Sequence, residues 1–179
     1  MLDNSADKMR LFLAAWPTDE VRRYISDDTE AAVIESGGRP VPAKNFHITL
    51  AFLGDVRQSG LDDIVKAMRS VRFGRFDLRL DRLGYWPNSK IAWLSPSKKH
   101  IALEALVEDI WNKLEMLGFM REYGDYKAHV SLCRNAKAGL NTSLPDPIFW
   151  TVNAFALVSS VPGKSGSDYT LLEQFHAGN

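Results

Sequence analysis

Two short segments of the chain repeat one pattern of residue types. Residues 47–50 read His-Ile-Thr-Leu and residues 129–132 read His-Val-Ser-Leu, so the two copies lie 82 positions apart. Each copy falls in a run typical of a β-strand, in which successive side chains point to opposite faces. His47 and Thr49 then share one face, about 7 Å apart along the strand, and the second copy has the same parity. One face of each strand is left for chemistry and the other for packing.

Two such strands lying side by side would gather two imidazoles and two hydroxyls around a pocket that fits one phosphate. His47 and His129 can each take or give a proton near neutral pH, so that the pair can serve as acid and base in an in-line phosphoryl displacement. Thr49 and Ser131 can donate hydrogen bonds to the non-bridging oxygens as negative charge develops. This chemistry needs no metal and no cofactor.

A single histidine in a strand is more often a core or surface residue than a catalytic one, and the repetition is what argues against that interpretation here. The other histidines, His100 and His176, have no twin, and we interpret both as structural. Cys133 is the only cysteine, so it forms no internal disulfide. Its parity sets it beside Ser131, where we expect it to be a small packing residue with no nucleophilic role.

The bulk composition indicates one compact domain over residues 1–179. The chain is 45% hydrophobic and carries 22 basic and 22 acidic residues, so it has no global positive field to hold a long polyanion. Any nucleic acid must therefore be gripped locally. No run approaches the roughly 20 apolar residues of a membrane span, and nothing resembles a signal peptide. We expect a soluble protein of the reducing cytoplasm with no membrane partner.

Periodicity and turn signals predict the elements that hold the motifs. A helix capped by Thr18 fades near residues 35–38, a second covers 61–71, and a third is capped by Ser97 and runs through 117. Strands are predicted at residues 11–16, 46–53, 76–83, 91–94, 128–133, 149–159 and 169–175, and the run 84–89 is predicted as a hairpin turn. This order favours an α+β fold with mostly antiparallel sheets and helices packed outside.

Both motifs with their flanking residues resemble the 2H phosphoesterase superfamily, and within it the RNA 2′,3′-cyclic phosphodiesterases, also called 2′-5′ RNA ligases or LigT-like proteins. The resemblance extends over nearly the whole chain. It includes residues 10–14, residues 46–54, the Tyr85-Trp86-Pro87 segment before residues 91–94, and residues 129–134. It implies a bilobal fold of two pseudo-twofold-related antiparallel sheets, with outer helices and the site in a central cleft.

The resemblance also implies roles for individual residues. His47 would donate a proton to the leaving 3′ oxygen, and His129 would be the base that activates water, so that a 2′-phosphate results. Thr49 and Ser131 would hold the phosphate. Ser131 departs from the threonine that is more common in the family, but the hydroxyl is kept.

Arg134 matches a family arginine just after the second motif and is a candidate to contact the phosphate or to stack on a base. Its parity, however, points it away from His129 unless the strand bends, which leaves a surface salt bridge as an equal interpretation. Among the aromatic residues near the motifs, Tyr85 and Trp86 are the better candidates for base stacking. Phe12 and Trp93 are also candidates by position, but Trp93, like Trp111 on the third helix, is more simply explained by packing.

Three alternatives stay open at the level of sequence. The same acid and base could run the reverse chemistry and join RNA ends through a 2′-5′ linkage. The chain could also be a non-catalytic module that binds RNA ends or nucleotides. A metal-dependent hydrolase is the weakest alternative, because neither motif is surrounded by residues at metal-ligand spacing. In each case we expect a monomer whose partners are RNA termini or small cyclic nucleotides.

Overall fold

The computed structural model of the chain describes residues 7–121, 125–139, 141–163 and 166–178. Within these ranges the helices are α1 (Asp19–Ser36), α2 (Leu61–Arg69) and α3 (Ile101–Met116), with short 3-10 turns at Ala43–Asn45 and Gln58–Gly60. The strands are β1 (Lys8–Ala15), β2 (Arg39–Pro40), β3 (Ile48–Arg57), β4 (Phe76–Trp86), β5 (Ile91–Ser95), β6 (Val130–Arg134), β7 (Thr142–Val152), β8 (Ala154–Gly163) and β9 (Gly166–His176).

The sheet is antiparallel, and its two central strands, β3 and β6, begin immediately after the two motif histidines. Its order is β7-β4-β5-β6-β3-β1-β8-β9, with β2 paired beside β6. The strands β3 and β6 are joined at one residue pair, Ile48 opposite Val130. Outward from that pair, β1 lies beside β3 as β5 lies beside β6, followed by β8 and β4 and then by β9 and β7. The predicted α+β fold with two related antiparallel halves is confirmed.

The helices cover one face of the sheet and enclose the apolar core. Helix α1 contacts β6 and β7, whereas α3 contacts β3, so each of these helices crosses to the half opposite the strand that precedes it. The core joins Ile25 of α1 and Ile110 of α3 to Leu13 of β1 and to Ile48 and Val130 of the central strands. Burying side chains of this size stabilises the fold by roughly 1.5–3 kcal/mol each. The residues with the opposite parity face away from the helices and form the histidine-bearing face.

Of the two predicted helix N-caps, the structure has one, at Thr18, and lacks the other, at Ser97. Thr18 caps α1 as predicted, because its hydroxyl oxygen accepts a hydrogen bond from the backbone N–H of Val21 at 3.3 Å. Gly37, in the left-handed conformation at φ 62°, ends that helix. Ser97, in contrast, does not cap α3. Its hydroxyl and its backbone N–H both donate to the buried carboxylate of Asp81, and α3 begins only at Ile101.

Three predicted strand boundaries are wrong: one predicted strand is divided in two, and in two places residues typical of turns lie within strands. The run 149–159 is divided at Asn153 into β7 and β8, which lie far apart in the sheet order. Since only Asn153 separates them, the sheet must curve until its two ends approach each other. Tyr85 and Trp86, expected in the hairpin turn, extend β4 and pair with β5. Gly54, expected to end the first motif strand, lies within β3.

Single-residue bulges in β3 and β6 change which side chains face the site. In β3, Leu50 and Leu53 are extra residues relative to β1. The bulge at Leu50 turns Phe52 to the histidine-bearing face, opposite Phe12, whereas strict alternation predicts the core face. In β6, Leu132 is the extra residue relative to β5. The alternation is thereby reversed for the two residues that follow it.

Candidate active site

The two histidines occupy equivalent positions one residue before the central strands. Their motifs were expected to lie wholly inside strands, but His47 precedes β3 and His129 precedes β6. Continuing the antiparallel register outward from Ile48 and Val130 sets His47 opposite Ser131. The same register sets Thr49 opposite His129. Such cross-strand pairs have Cβ atoms about 4.5–5.5 Å apart and diagonal neighbours about 7–8 Å apart, so the four side chains lie together on one face.

Each imidazole is anchored through the same ring nitrogen. The Nδ1 atom of His47 is 2.7 Å from the carbonyl oxygen of Asn45, and the Nδ1 atom of His129 is 2.8 Å from the carbonyl oxygen of Lys127. A carbonyl oxygen only accepts, so Nδ1 carries the proton and donates it in both rings. The Nε2 atom of each ring is therefore the one left to exchange a proton with a ligand.

The loops that precede the two motifs are fixed against the opposite motif strand. The hydroxyl of Tyr126 donates to the carbonyl oxygen of Thr49 at 3.1 Å. In the other half, the backbone N–H of Val41 donates to the carbonyl oxygen of Leu132 at 2.8 Å. Each histidine is thus carried by a segment that is hydrogen-bonded to the neighbouring strand. Burial also raises the pKa of the Tyr126 phenol, so that Tyr126 stays a hydrogen-bond donor.

Three aromatic rings surround His47. The indole of Trp16 is stacked on the imidazole with ring centroids 5.1 Å apart and planes 2° apart. Phe12 lies at 5.1 Å in a tilted arrangement, and Tyr169 lies edge-on at 5.4 Å. These rings come from β1, from the turn after it and from β9. Together they hold the imidazole plane and remove much of it from water.

The surroundings of His129 are more open. Among the residues that the structure describes, a single ring contacts it, that of Trp86, whose centroid is 4.5 Å away at an interplanar angle of 73°. His129 also borders two cavities, one of about 360 Å³ and one of about 520 Å³, with Trp86 on the wall of both. The larger cavity is also lined by Thr49 and Phe52. The site therefore has an enclosed side and an open side.

The pKa values of the two histidines reflect this difference. Burial, together with the positive charges of His129 and Arg134, lowers the pKa of His47 from 6.5 to about 4, against the hydrogen bond to Asn45 that raises it. Burial is also the main cause that lowers the pKa of His129, with a further contribution from Arg134. Strongly shifted groups that face a cleft are typical of functional sites, although structural networks also shift pKa values.

Arg134 faces the site, and the parity argument that pointed it away is wrong. The bulge at Leu132 reverses the alternation, and Arg134 lines a cavity of about 280 Å³ together with His47 and Ser131. The same reversal moves Cys133 away from Ser131. Its thiol is buried against Ala92 and Ala136, so the expected packing role holds but on the core side of the strand.

The aromatic candidates near the motifs divide between the two faces. Trp86 lies against His129, but Tyr85 points the other way and its hydroxyl donates to the carbonyl oxygen of Ala136 at 3.1 Å. Trp93 was expected to be a packing residue, and it shares a cavity wall with Trp86 and His129. Phe12 is buried in contact with His47.

Sequence reasoning did not identify Trp16, Tyr169 and Arg39 as neighbours of the site. Trp16 was read only as the end of a strand, and Tyr169 only as the start of another. No local signal could have linked them to His47, because the contacts depend on how β1, β8 and β9 assemble beside β3. Arg39 becomes visible only through its pairing with Arg134 in the β2–β6 ladder.

Two further findings concern ligands and membranes. No group of three or more His, Cys, Asp or Glu side chains among the described residues is arranged to hold a metal ion. In the part of the chain that the structure describes, no helix is long and apolar enough to cross a membrane.

Comparison with known proteins gives consistent matches along the chain. Residues 17–93 match the family model described as LigT like Phosphoesterase. An RNA 2′,3′-cyclic phosphodiesterase of Archaeoglobus fulgidus is 33% identical over 129 residues, covering 70% of this chain and 72% of the relative. The enzyme of the same name from Escherichia coli strain K12 is 28% identical over 173 residues, or 95% of this chain and 97% of the relative.

Solved structures agree with these matches. The crystal structure of Escherichia coli LigT complexed with 3′-AMP superimposes with a TM-score of 0.88 at 26% identity, covering 96% of this chain and 99% of that one. The crystal structure of TT0787 of Thermus thermophilus gives a TM-score of 0.81 at 29% identity, covering 94% of this chain and 97% of that one.

Proposed function

The chain belongs to the LigT-like family of RNA 2′,3′-cyclic phosphodiesterases, and we propose that it hydrolyses 2′,3′-cyclic phosphates on RNA ends or nucleotides by a two-histidine mechanism. One observation carries this proposal. Two imidazoles lie diagonally across the Ile48–Val130 pair, each with Nδ1 anchored to a backbone carbonyl and Nε2 left to exchange a proton. The homologues named as RNA 2′,3′-cyclic phosphodiesterases supply the substrate class.

In the proposed reaction a water molecule attacks the cyclic phosphorus on the side opposite the 3′ oxygen. The Nε2 atom of His129 accepts the proton of the water as the new P–O bond forms. The P–O3′ bond breaks, and the Nε2–H of His47 donates its proton to the leaving 3′ oxygen. The product carries a 2′-phosphate and a 3′-hydroxyl, and one proton exchange with solvent restores the pair.

The low pKa of His47 has to be reconciled with its role as the acid. A bound cyclic phosphate places a negative charge between the two rings, which raises the pKa of both. The active form of the enzyme is therefore the one in which the two histidines together hold one proton. The negative charge of the bound phosphate stabilises that proton on the pair.

Three side chains are proposed to hold the phosphate. The hydroxyls of Thr49 and Ser131 lie on the same face as the imidazoles and can donate to the non-bridging oxygens. The guanidinium of Arg134 lowers the pKa of both histidines, which indicates that its charge is close enough to act on a phosphate between them.

The proposal needs only one copy of the chain. All the side chains of the site come from residues 1–179, which we propose to be one bilobed domain because a single apolar core joins both halves. A monomer acting in the cytoplasm on RNA termini or small cyclic nucleotides is the simplest assignment.

The decisive test is an assay with an RNA that ends in a 2′,3′-cyclic phosphate, carried out with EDTA present. We expect complete conversion to a terminal 2′-phosphate and no 3′-phosphate, as scored by the regioisomer released on digestion to mononucleotides. Binding without turnover would instead identify a non-catalytic module, and turnover abolished by EDTA would identify a metal-dependent enzyme. A parallel reaction with a 5′-hydroxyl RNA measures how much of the product is ligated through a 2′-5′ linkage.

A further inference from the structure

Two arginines face each other across the short β2–β6 ladder. Arg39 is paired directly with Arg134, and Gly38 lets the two strands approach, because a Cβ on Gly38 would come within 2.6 Å of the carbonyl oxygen of Arg134. Like charges directly opposite each other on neighbouring strands destabilise a sheet. Among the described residues, no acidic side chain forms a salt bridge with either guanidinium. The fold therefore holds an uncompensated pair of positive charges.

Both guanidinium groups open into one cavity on the His47 side of the site. The cavity of about 280 Å³ is lined by Arg39 and Arg134 together with His47, Ser131 and the start of β9. The side-chain amide of Asn45 donates to the carbonyl oxygen of Ser167 at 3.1 Å, which ties the wall formed by β9 to the loop that carries His47. The cavity is thus a built extension of the catalytic face.

The two arginines do not reach the same place. The charge of Arg134 acts on both histidines and hence on the position of the reacting phosphate. Arg39 extends toward the other wall, where its Nη1 atom lies 3.9 Å from the position that a Cβ on Gly166 would occupy. A guanidinium on that wall is positioned to bind an anionic group other than the cyclic phosphate that is cleaved.

We propose that Arg39 binds a second phosphate of the substrate, separated from the cyclic phosphate by one ribose. This inference rests on the proposed cyclic phosphodiesterase activity and adds a substrate class, namely cyclic-phosphate ends that carry a further phosphate on their 5′ side. The second phosphate has two possible sources, a free 5′-phosphate on a nucleotide or the backbone phosphodiester of an RNA. Both present the same anionic oxygens to Arg39.

Binding of reaction products separates these sources without requiring turnover. We would measure by calorimetry the Kd of adenosine 2′-phosphate, adenosine 2′,5′-bisphosphate and a dinucleotide ending in a 2′-phosphate. We expect at least one of the two ligands with a second phosphate to bind about tenfold more tightly than adenosine 2′-phosphate. Tighter binding of the bisphosphate alone identifies a free 5′-phosphate, and tighter binding of the dinucleotide alone identifies the RNA backbone. Equal affinity of all three ligands would overturn the proposal.

Substitution of Arg39 assigns the effect to that residue. We expect Arg39→Gln to bring the affinity ratio close to one and Arg39→Lys to restore part of it. The matched control is Arg57→Gln, which removes the same charge from an exposed position at the far end of β3 and should leave the ratio unchanged. An equal loss of the ratio in both glutamine variants would mean that general charge, and not a site at Arg39, attracts the second phosphate.

The turnover assay keeps the two proposals distinct. Wild-type protein that hydrolyses adenosine 2′,3′-cyclic phosphate, its 5′-phosphorylated form and a dinucleotide ending in a 2′,3′-cyclic phosphate with the same kcat/KM would refute the role of Arg39 while leaving the proposed activity intact. Wild-type protein that hydrolyses none of the three, yet binds the bisphosphate or the dinucleotide product more tightly in an Arg39-dependent manner, would refute the activity and keep the anion site.

Discussion

The His47 and His129 halves of the site share a motif, an anchoring hydrogen bond and a position one residue before a central strand. They differ in what surrounds the ring. Three aromatic rings enclose His47, whereas within the described ranges only Trp86 contacts His129. The shared features fix where the two Nε2 atoms point, and the different surroundings separate the proton affinities of the rings. The related backbone of the two halves thus places two imidazoles in equivalent positions. The aromatic residues outside the motifs make His47 the harder of the two to protonate.

The strongest challenge to this comparison is to remove each histidine in turn. Because one ring must donate a proton while the other accepts one, we expect His47→Ala and His129→Ala each to lower kcat by at least about 10²-fold. The double variant should be little worse than either single one, since the two residues act as a unit. Single-turnover kinetics on a cyclic-phosphate RNA measures these losses. The control is His176→Ala at an exposed position of β9, and near-normal kcat for either site variant would remove that ring from the mechanism.

The pH profile tests whether the two rings differ as their surroundings indicate. The pKa of His47 is lowered to about 4 and that of His129 lies below 6.5. Below both values the pair holds two protons and lacks a base, and above both it holds none and lacks an acid. We expect kcat/KM, which reports the free enzyme, to be bell-shaped with its maximum between pH 4 and pH 6.5.

Outside that window kcat/KM should fall about tenfold per pH unit on the alkaline side. The cyclic phosphate keeps one negative charge throughout this range, so the profile reports ionisations of the enzyme. A maximum above pH 7 would show that neither ring is shifted in the way described. Removing either histidine should abolish the corresponding limb of any residual activity.

Removing the neighbouring aromatic rings tests whether they cause the difference in pKa between His47 and His129. In Trp16→Ala water gains access to the imidazole of His47, and we expect its pKa to rise by at least about one unit. Trp86→Ala should raise the pKa of His129 by less, because fewer rings desolvate it. Titration of the imidazole Cε1–H resonances by NMR measures both shifts.

The rate should follow the pKa in these variants. We expect the optimum of Trp16→Ala to move to higher pH and its best kcat/KM to fall about tenfold, since the stacked ring also orients His47. Trp16→Phe, which keeps a stacked face, should recover most of the rate. Equal pKa shifts in the Trp16 and Trp86 variants would mean that the aromatic surroundings do not distinguish the halves.

The comparison also shows what could be foreseen from the sequence. The repeated motif predicted the shared geometry because strand alternation is local, and the strands, helices and antiparallel arrangement follow from local patterns in the same way. The aromatic surroundings of His47 could not be predicted, because Trp16 and Tyr169 are 31 and 122 positions from His47 and contact it only in the assembled sheet.

Bulges set a second limit on prediction from sequence. The extra residues Leu50 and Leu132 are ordinary strand residues, and nothing in their type marks a break in alternation. Yet they bring Phe52 and Arg134 to the site and send Cys133 to the core. A parity argument along a strand is therefore valid only as far as the first bulge.

The smallest expected effect concerns the hydroxyl position of the two motifs, which is threonine in the first and serine in the second. Across the neighbouring strand, Thr49 pairs with Ala14, whereas Ser131 pairs with Trp93. The larger hydroxyl residue thus lies beside the smaller neighbour, and the smaller one beside an indole. Ser131→Thr should crowd Trp93 and lower the free energy of unfolding by about 1 kcal/mol, as overpacking does, while kcat stays within about threefold because the hydroxyl is kept. Thr49→Ser, which removes a methyl beside Ala14, is the matched change. Urea unfolding and steady-state kinetics on both variants would contradict the volume argument if Ser131→Thr were as stable as wild type.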